Sequence, residues 1–229
     1  SDAENYNDYW LGLDGRYDIS EVTAVFGGLG YTSEHENRDS PDDTSDDLSP
    51  TTYESRNAHI GIKTRHQKTT YRIGLTYEDL DFDNVYTSTG GSVINDDRDR
   101  ELYGLGVRAT HKLDETLDLY AQVLLDRRDY EDKTDFYGYN KDSDGYRFAV
   151  GYKKDHGNGN KSEAYLGLIN QDFDDDRFST VDTVDFGGQL TLQPSSNSRL
   201  SARLLRTLNE TTLEGSSAYL HTDFSSRLE

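Results

Sequence analysis

The amino-acid sequence predicts an all-β fold, an antiparallel up-and-down transmembrane β-barrel with about 11–12 legible strands. Three observations predict it. Apolar and polar side chains alternate with a period of two in segment after segment, no helical stretch separates those segments, and the connections between them alternate short and long. A chain of 229 residues can be one such unit, so residues 1–229 are read as a single barrel domain.

The bulk composition has to be reconciled with that reading. Only 32% of residues are hydrophobic and the mean hydropathy is −0.91, values that by themselves suggest disorder. The 17 Tyr, 8 Phe and 20 Gly do not fit an aromatic-poor solvated polymer. No run approaches the roughly 18 apolar residues of a membrane-spanning helix. A spanning strand needs only about ten residues with every second one apolar, so a barrel averages out as hydrophilic. Forty-four acidic against 24 basic residues give a net charge of −20, which repels phosphate backbones and excludes nucleic acid as a partner. The absence of cysteine removes disulfides and thiolate metal sites, as suits a cell-envelope protein.

Strands are expected in this order. Weaker alternation marks 9–17, 23–32 and 58–65; in the second, Val25 and Phe26 compete for the apolar face and the register stays open. Tyr71, Ile73, Leu75 and Tyr77 then oppose Arg72, Gly74, Thr76 and Glu78. Tyr103, Leu105, Val107 and Ala109 oppose Gly104, Gly106, Arg108 and Thr110. Leu117, Leu119, Ala121, Val123 and Leu125 alternate with Asp118, Tyr120, Gln122, Leu124 and Asp126. Tyr146, Phe148, Val150 and Tyr152 alternate with Arg147, Ala149, Gly151 and Lys153. A weaker strand at 163–171 follows, then Phe186, Gly188, Leu190 and Leu192 against Asp185, Gly187, Gln189 and Thr191. Leu200, Ala202 and Leu204 against Ser201 and Arg203, and a weak segment at 218–224, complete about eleven strands.

Short connections are expected near 18–21, 66–68, 114–116, 156–160 and 194–198. The long ones, ENRDSPDDTSDDLSPTT, DFDNVYTSTGGSVINDDRDR, YEDKTDFYGYNKDSDG, DFDDDRFSTVDT and NETTLEGSS, are polar and mostly acidic. A sandwich has no reason to sort its loops by length at each end. Outer-membrane barrels do, with short periplasmic turns and longer extracellular loops, which predicts a bacterial outer-membrane location. All three prolines, Pro41, Pro50 and Pro194, are read into connections, because a proline cannot donate to a ladder. An odd strand count leaves an edge that hydrocarbon cannot solvate, so it points to missing sequence, a misread strand or a partner. The opening SDAENYNDYW lacks a charged and an apolar leader region, and the closing SSRLE lacks a terminal aromatic, so a chain truncated at its ends is expected.

Several segments resemble the outer-membrane β-barrel porins associated with exopolysaccharide systems of Gram-negative bacteria. They are YGLGVRATHKL from Tyr103, LDLYAQVLLDRRDYED from Leu117, DSDGYRFAVGYK from Asp142, SEAYLGLINQDFDDDRFSTVDTVDFGGQLTLQPS from Ser162 and LRTLNETTLEGSSAYLHT from Leu205, with SPDD and LSPTTY in the first long loop. The resemblance implies a strand architecture and passage of solutes or polysaccharide. It implies no catalytic residues, and members of such families are generally longer.

If the apolar face meets lipid, Arg72, Glu78, Arg108, Asp118, Gln122, Asp126, Arg147, Lys153, Asp185 and Arg203 line the interior. The alternative is that these residues pair across strands and fill the barrel. Asn140, Asp142 and Asp144 before Gly145 resemble the first half of a Ca²⁺ loop, but the closing bidentate position falls on Gly151, inside a strand. Loose divalent-ion bridging of the acidic loops to lipopolysaccharide is preferred to a dedicated cage. The six histidines are dispersed without ligand spacing, and nothing near His35 composes a hydrolase site by spacing alone. Tyr9, Tyr31, Tyr53, Tyr77, Tyr103, Tyr130, Tyr146 and Phe173 are expected in interfacial girdles. Phe136, Tyr137 and Tyr139 are read as loop packing or glycan contact. The function expected is a non-enzymatic porin-like channel or export barrel for solutes or polysaccharide, without cofactor. The alternative is a closed structural barrel whose acidic loops bind ions, glycans or an envelope partner protein.

Overall fold

The computed structural model describes residues 7–36, 49–195, 197–211 and 215–229. Pro41 and the SPDD motif of the first long loop lie outside them, as do residues 212–214 of the last. Among the described residues the strands are β1 (Tyr9–Asp18), β2 (Thr23–His35), β3 (Thr52–His66), β4 (Thr69–Phe82), β5 (Val85–Tyr86), β6 (Ser92–Val93) and β7 (Arg100–Lys112). They continue as β8 (Leu117–Tyr130), β9 (Ser143–Gly157), β10 (Asn160–Phe173), β11 (Val181–Ser195), β12 (Ser198–Glu210) and β13 (Ala218–Leu228). Eleven of them form one antiparallel sheet in strict chain order, β1-β2-β3-β4-β7-β8-β9-β10-β11-β12-β13. The short β5–β6 hairpin, which periodicity did not anticipate, stands apart within the β4–β7 loop.

Register converts the alternation of each strand into continuous rows. Val25, Ile62, Ile73, Val107, Val123, Phe148, Leu168 and Val184 fall opposite one another through eight successive strands. This apolar face points outward: Phe148, Leu105 and Leu75 are 43%, 36% and 55% exposed. The charged face points in, where Ala149, Ser143 and Asp185 are wholly buried. A sheet that turns its greasy face out is stable only where that face meets hydrocarbon. Between Tyr146 and Tyr152 the outward band runs six residues, about 20 Å along the strand at roughly 3.3 Å per residue.

Register also settles Val25 against Phe26. Val25 pairs with Tyr17 and Ile62 on the outward face, which leaves Phe26 inside. The strands outrun the expected segments toward the long loops: β3 begins at Thr52 rather than near 58. Past the lipid belt both faces of the strand are polar, so hydropathy no longer marks it. The turn ends are tight, with Gln67 at φ 52°, and Asn158 and Gly159 at φ 51° and 80°, the left-handed pair that suits a two-residue hairpin. One expectation is corrected: Pro194 lies within β11, not in a connection. The β11–β12 register shifts between Leu192 and Ser195, and at such an irregularity the missing N–H is not needed.

The sheet curls but does not close. β1 and β13 each have one neighbour, so two strand edges are unpaired among the described residues. The inward face is unevenly filled. Tyr120, Ala149, Ile169, Gln171 and Asp185 are buried along β8–β11, whereas Lys63 and Arg72 on β3 and β4 remain exposed.

Candidate functional site

Glycines shape the inward wall. The Phe26 ring lies against Gly61, so closely that a Cβ there would overlap it. Tyr120 lies against Gly151 and Tyr165 against Gly187, where a Cβ would come within 2.6 Å of each ring. An aromatic side chain on one strand thus lies flat over a missing side chain on the next, which keeps bulk out of the bore. Two arginines rest on these rings, with the Arg72 guanidinium 4.2 Å from the Phe26 centroid and that of Arg108 3.6 Å from Tyr120.

The charges on this wall form small groups. Glu163 accepts from Arg108 at 3.2 Å and lies 3.0 Å from Lys153. Arg147 stands 3.2 Å from Asp185, whose side chain is fully buried. The Ser55 hydroxyl donates to Glu78 at 2.6 Å, and Arg128 lies 3.4 Å from Asp126. A cavity of about 890 Å³ is lined by residues from β2 to β12, and Arg72, Glu78, Arg108, Gln122, Asp126 and Arg147 all line it. The other four residues expected to line the interior are not part of this cavity's lining. Lys153 and Asp118 pair in register toward the short turns, Asp185 is buried beside Arg147, and Arg203 faces Gln189. Sequence reasoning missed Phe26, His59 and Arg128, which also line the cavity. The alternation of 58–65 could have found His59, and that of β8 could have found Arg128.

The long loops are bonded into one collar. Arg98 pairs with Glu36 of the β2–β3 loop at 2.5 Å, and the Phe136 N–H donates to Asp97 at 2.8 Å. Arg177 donates to the Gly138 carbonyl, and the Asn140 N–H donates to Asp175 at 2.9 Å. Lys141 lies 3.1 Å from Asp135 and donates to the Thr211 carbonyl at 3.1 Å. These bonds join all five long loops. Arg98, Lys141 and Asp135 are nearly fully buried, so the acidic loops are folded around a few cations rather than splayed into water. At the collar base Asp99 accepts from the Phe82 N–H at 2.7 Å. Burial, with Asp81, Glu131 and Asp96 nearby, pushes its carboxyl up to about 6. Asp175 is the opposite case, held well below the usual carboxylate range by Arg177 and two backbone N–H groups.

The eight aromatics expected in girdles divide between the two faces of the sheet. Tyr9, Tyr31, Tyr77, Tyr103 and Tyr146 stand on the outward face; Tyr77 and Tyr103 pack at 5.3 Å and both donate to Glu101. Tyr53, Tyr130 and Phe173 instead fall on the inward parity. Tyr53 stacks on buried Phe82 at 5.3 Å, Tyr130 lies under Arg100, and Phe173 packs against Phe178 at 5.7 Å. Tyr139 self-packs on Phe178 beneath Arg177, while Phe136 is 85% exposed with Tyr137 at its edge. The proposed calcium residues are otherwise engaged. Asn140 accepts from the Asp142 N–H, Asp142 accepts from the Tyr130 N–H, and Asp144 pairs outward with Arg127 at 3.0 Å. Among the described residues no three His, Cys, Asp or Glu side chains are grouped to hold a metal ion. His35 bonds to Asp8 at 2.8 Å on the loop side of β2.

Comparison with known proteins adds three findings. The family model described as "Putative beta-barrel porin 2" matches residues 1–229. No curated protein sequence matches the chain. Among solved structures, the chain is similar to the β-domain of the Bordetella autotransporter BrkA, at 14% identity over 96% of this chain and 88% of that one, with a TM-score of 0.44.

Proposed function

Because the chain belongs to the family described as "Putative beta-barrel porin 2" and is an outer-membrane β-barrel protein, we propose that it forms a porin-like channel passing solutes or polysaccharide without covalent chemistry. The observation that carries this reading is the sidedness of the sheet. An outward apolar row crosses eight strands, while ionic side chains turn inward around a cavity of about 890 Å³. The glycine-backed aromatics support it further, since flat rings leave a bore that upright side chains would fill. In lipid the edges of β1 and β13 need partners, because unpaired backbone groups in hydrocarbon cost several kcal/mol each.

The test is single-channel recording from the purified native protein in a planar bilayer. Stepwise conductance is the expected result, and a sealed bilayer under conditions that give folded, heat-modifiable protein sinks the reading. Liposome swelling with sugars of increasing length then separates small solutes from polysaccharide.

The collar favours a second reading. Five long loops tied together by buried ion pairs suit a barrel whose outer surface meets ions, glycans or a partner protein while the bore stays shut. Lipopolysaccharide is the natural neighbour of the outward acidic rim around Arg127, with divalent cations bridging carboxylate to phosphate. Absence of conductance together with cation-dependent lipopolysaccharide binding would select it.

A further inference from the structure

The inward wall carries a row of like charges that its own carboxylates do not neutralise. Lys63 of β3 lies directly opposite Arg72 of β4, and Arg72 directly opposite Arg108 of β7. Like charges directly opposite on one face of a sheet repel, so the row costs stability. Of the three, only Arg108 has a carboxylate partner among the described residues, and that carboxylate, Glu163, is shared with Lys153. Arg72 has the Phe26 ring beneath it and Lys63 has no described ionic partner; both are exposed on the inward face.

The setting sharpens the contrast. The chain as a whole carries −20, yet Arg72 and Arg108 enter the same cavity as Arg128 and Arg147, the last paired with Asp185, and the carboxylates lining that cavity are Glu78 and Asp126. Those two carboxylates are already engaged, by Ser55 and by Arg128. The acidic excess sits in the long loops and on the outward rim. A guanidinium seated over an aromatic ring is held in place while its N–H groups stay available to grip an oxyanion; that of Arg72 has no carboxylate partner among the described residues, while Arg108 gives one N–H to Glu163. Gly61 behind Phe26 and Gly151 behind Tyr120 repeat that seat on two pairs of strands.

From this juxtaposition we infer that Lys63, Arg72 and Arg108 form an oxyanion-binding filter within the bore, one that takes solutes bearing carboxylate, sulfate or phosphate groups, acidic oligosaccharides included. The inference rests on the channel reading above and names the chemical class that the channel prefers. An anion seated between the cations would relieve the repulsion that the register imposes, and the acidic loops would set a threshold that only a solute held by the row repays.

Two experiments on the native protein test it. In a planar bilayer with asymmetric KCl, the reversal potential takes the sign of anion selectivity, and the Lys63→Gln, Arg72→Gln double variant shifts it toward zero. In detergent, calorimetric titration compares oligogalacturonate, inorganic phosphate and a neutral malto-oligosaccharide of matched length. The anions bind and the neutral sugar does not, with affinity falling roughly tenfold for each cation removed. Binding of phosphate without oligogalacturonate assigns the filter to small oxyanions, and binding of both extends it to acidic sugars. Cation-selective current overturns the filter while the channel stands, and so do selectivity and binding unchanged in the double variant. No current with anion binding retained overturns the channel and leaves the oxyanion site. Equal binding of anionic and neutral sugars overturns the filter without any variant having to fold.

Discussion

Arg147 and Asp185 form the least replaceable pair on the inward wall. Asp185 is fully buried and Arg147 is its nearest cation at 3.2 Å, so Arg147→Met would strand a desolvated carboxylate. Breaking a buried pair from one side costs about 3–5 kcal/mol; urea unfolding in lipid vesicles should show a loss of that order, and a loss below about 1 kcal/mol would refute the pairing. Gly151 is the second such position. A Cβ there would meet both the Tyr120 ring and the Ala164 carbonyl. Gly151→Val is expected to cost about 1–3 kcal/mol through overpacking and, by displacing Tyr120, to unseat Arg108 from its ring. Neither position stands out in the sequence. Asp185 reads as one more polar member of an alternating strand, and a glycine's role depends on the ring that the neighbouring strand lays across it.

The collar is the element in which chemistry and dynamics meet. Lys141→Ala removes the bond from the β8–β9 loop to the Thr211 carbonyl and leaves buried Asp135 with two backbone N–H donors but without its cation. Faster amide exchange and faster proteolysis are expected in loop 131–142 and at Thr211 and 215–217, with exchange in the sheet unchanged; equal protection throughout would show that the collar is not held by this cation. Asp99 makes the same element pH-sensitive. Its carboxyl titrates at about 6 when folded, above the ordinary value of 3.8, so the folded loop keeps its proton after the unfolded loop has lost it. Its contribution to collar stability is therefore full below about pH 4 and is lost as pH rises through about 6. Asp175, held low, stays ionised across that window and does not oppose the trend. A larger protection factor for the Phe82 amide, taken against the intrinsic exchange rate at each pH, is expected at pH 5 than at pH 7, and Asp99→Asn, which keeps an acceptor for that N–H, should flatten the difference in protection.

Over the whole molecule the unresolved demand is closure. An eleven-stranded sheet in which, among the described residues, β1 and β13 are free edges cannot remain so in hydrocarbon. In the protein reconstituted in lipid, backbone amides of β1 and β13 should therefore be as protected from exchange as those of β8 and β9. Rapid exchange along either edge would mean that the strands lie outside the membrane, and the outward row would then need another explanation. The same scale explains the charge distribution. Carboxylates gather in loops and rim, where water and the collar cations stabilise them, while Lys63, Arg72 and Arg108 stand side by side on the inward wall.

The sequence by itself determined the sheet: its strand order, the sorting of its connections and which side of each strand is greasy. Each of these follows from a local period of two and from turn chemistry, so Phe148 and Arg147 face opposite ways in any register that buries neither in water. Tertiary structure decided what alternation cannot encode, because it depends on which residues of different strands become neighbours. It set Phe26 inward over Gly61, drew Tyr53 and Phe173 out of the expected girdle, took Pro194 into an irregular stretch of β11, and tied Glu36, Asp97, Lys141 and Thr211 into one collar. Above all, it aligned Lys63, Arg72 and Arg108. In the chain those cations are nine and thirty-six residues apart, and only the register of three strands makes them a row.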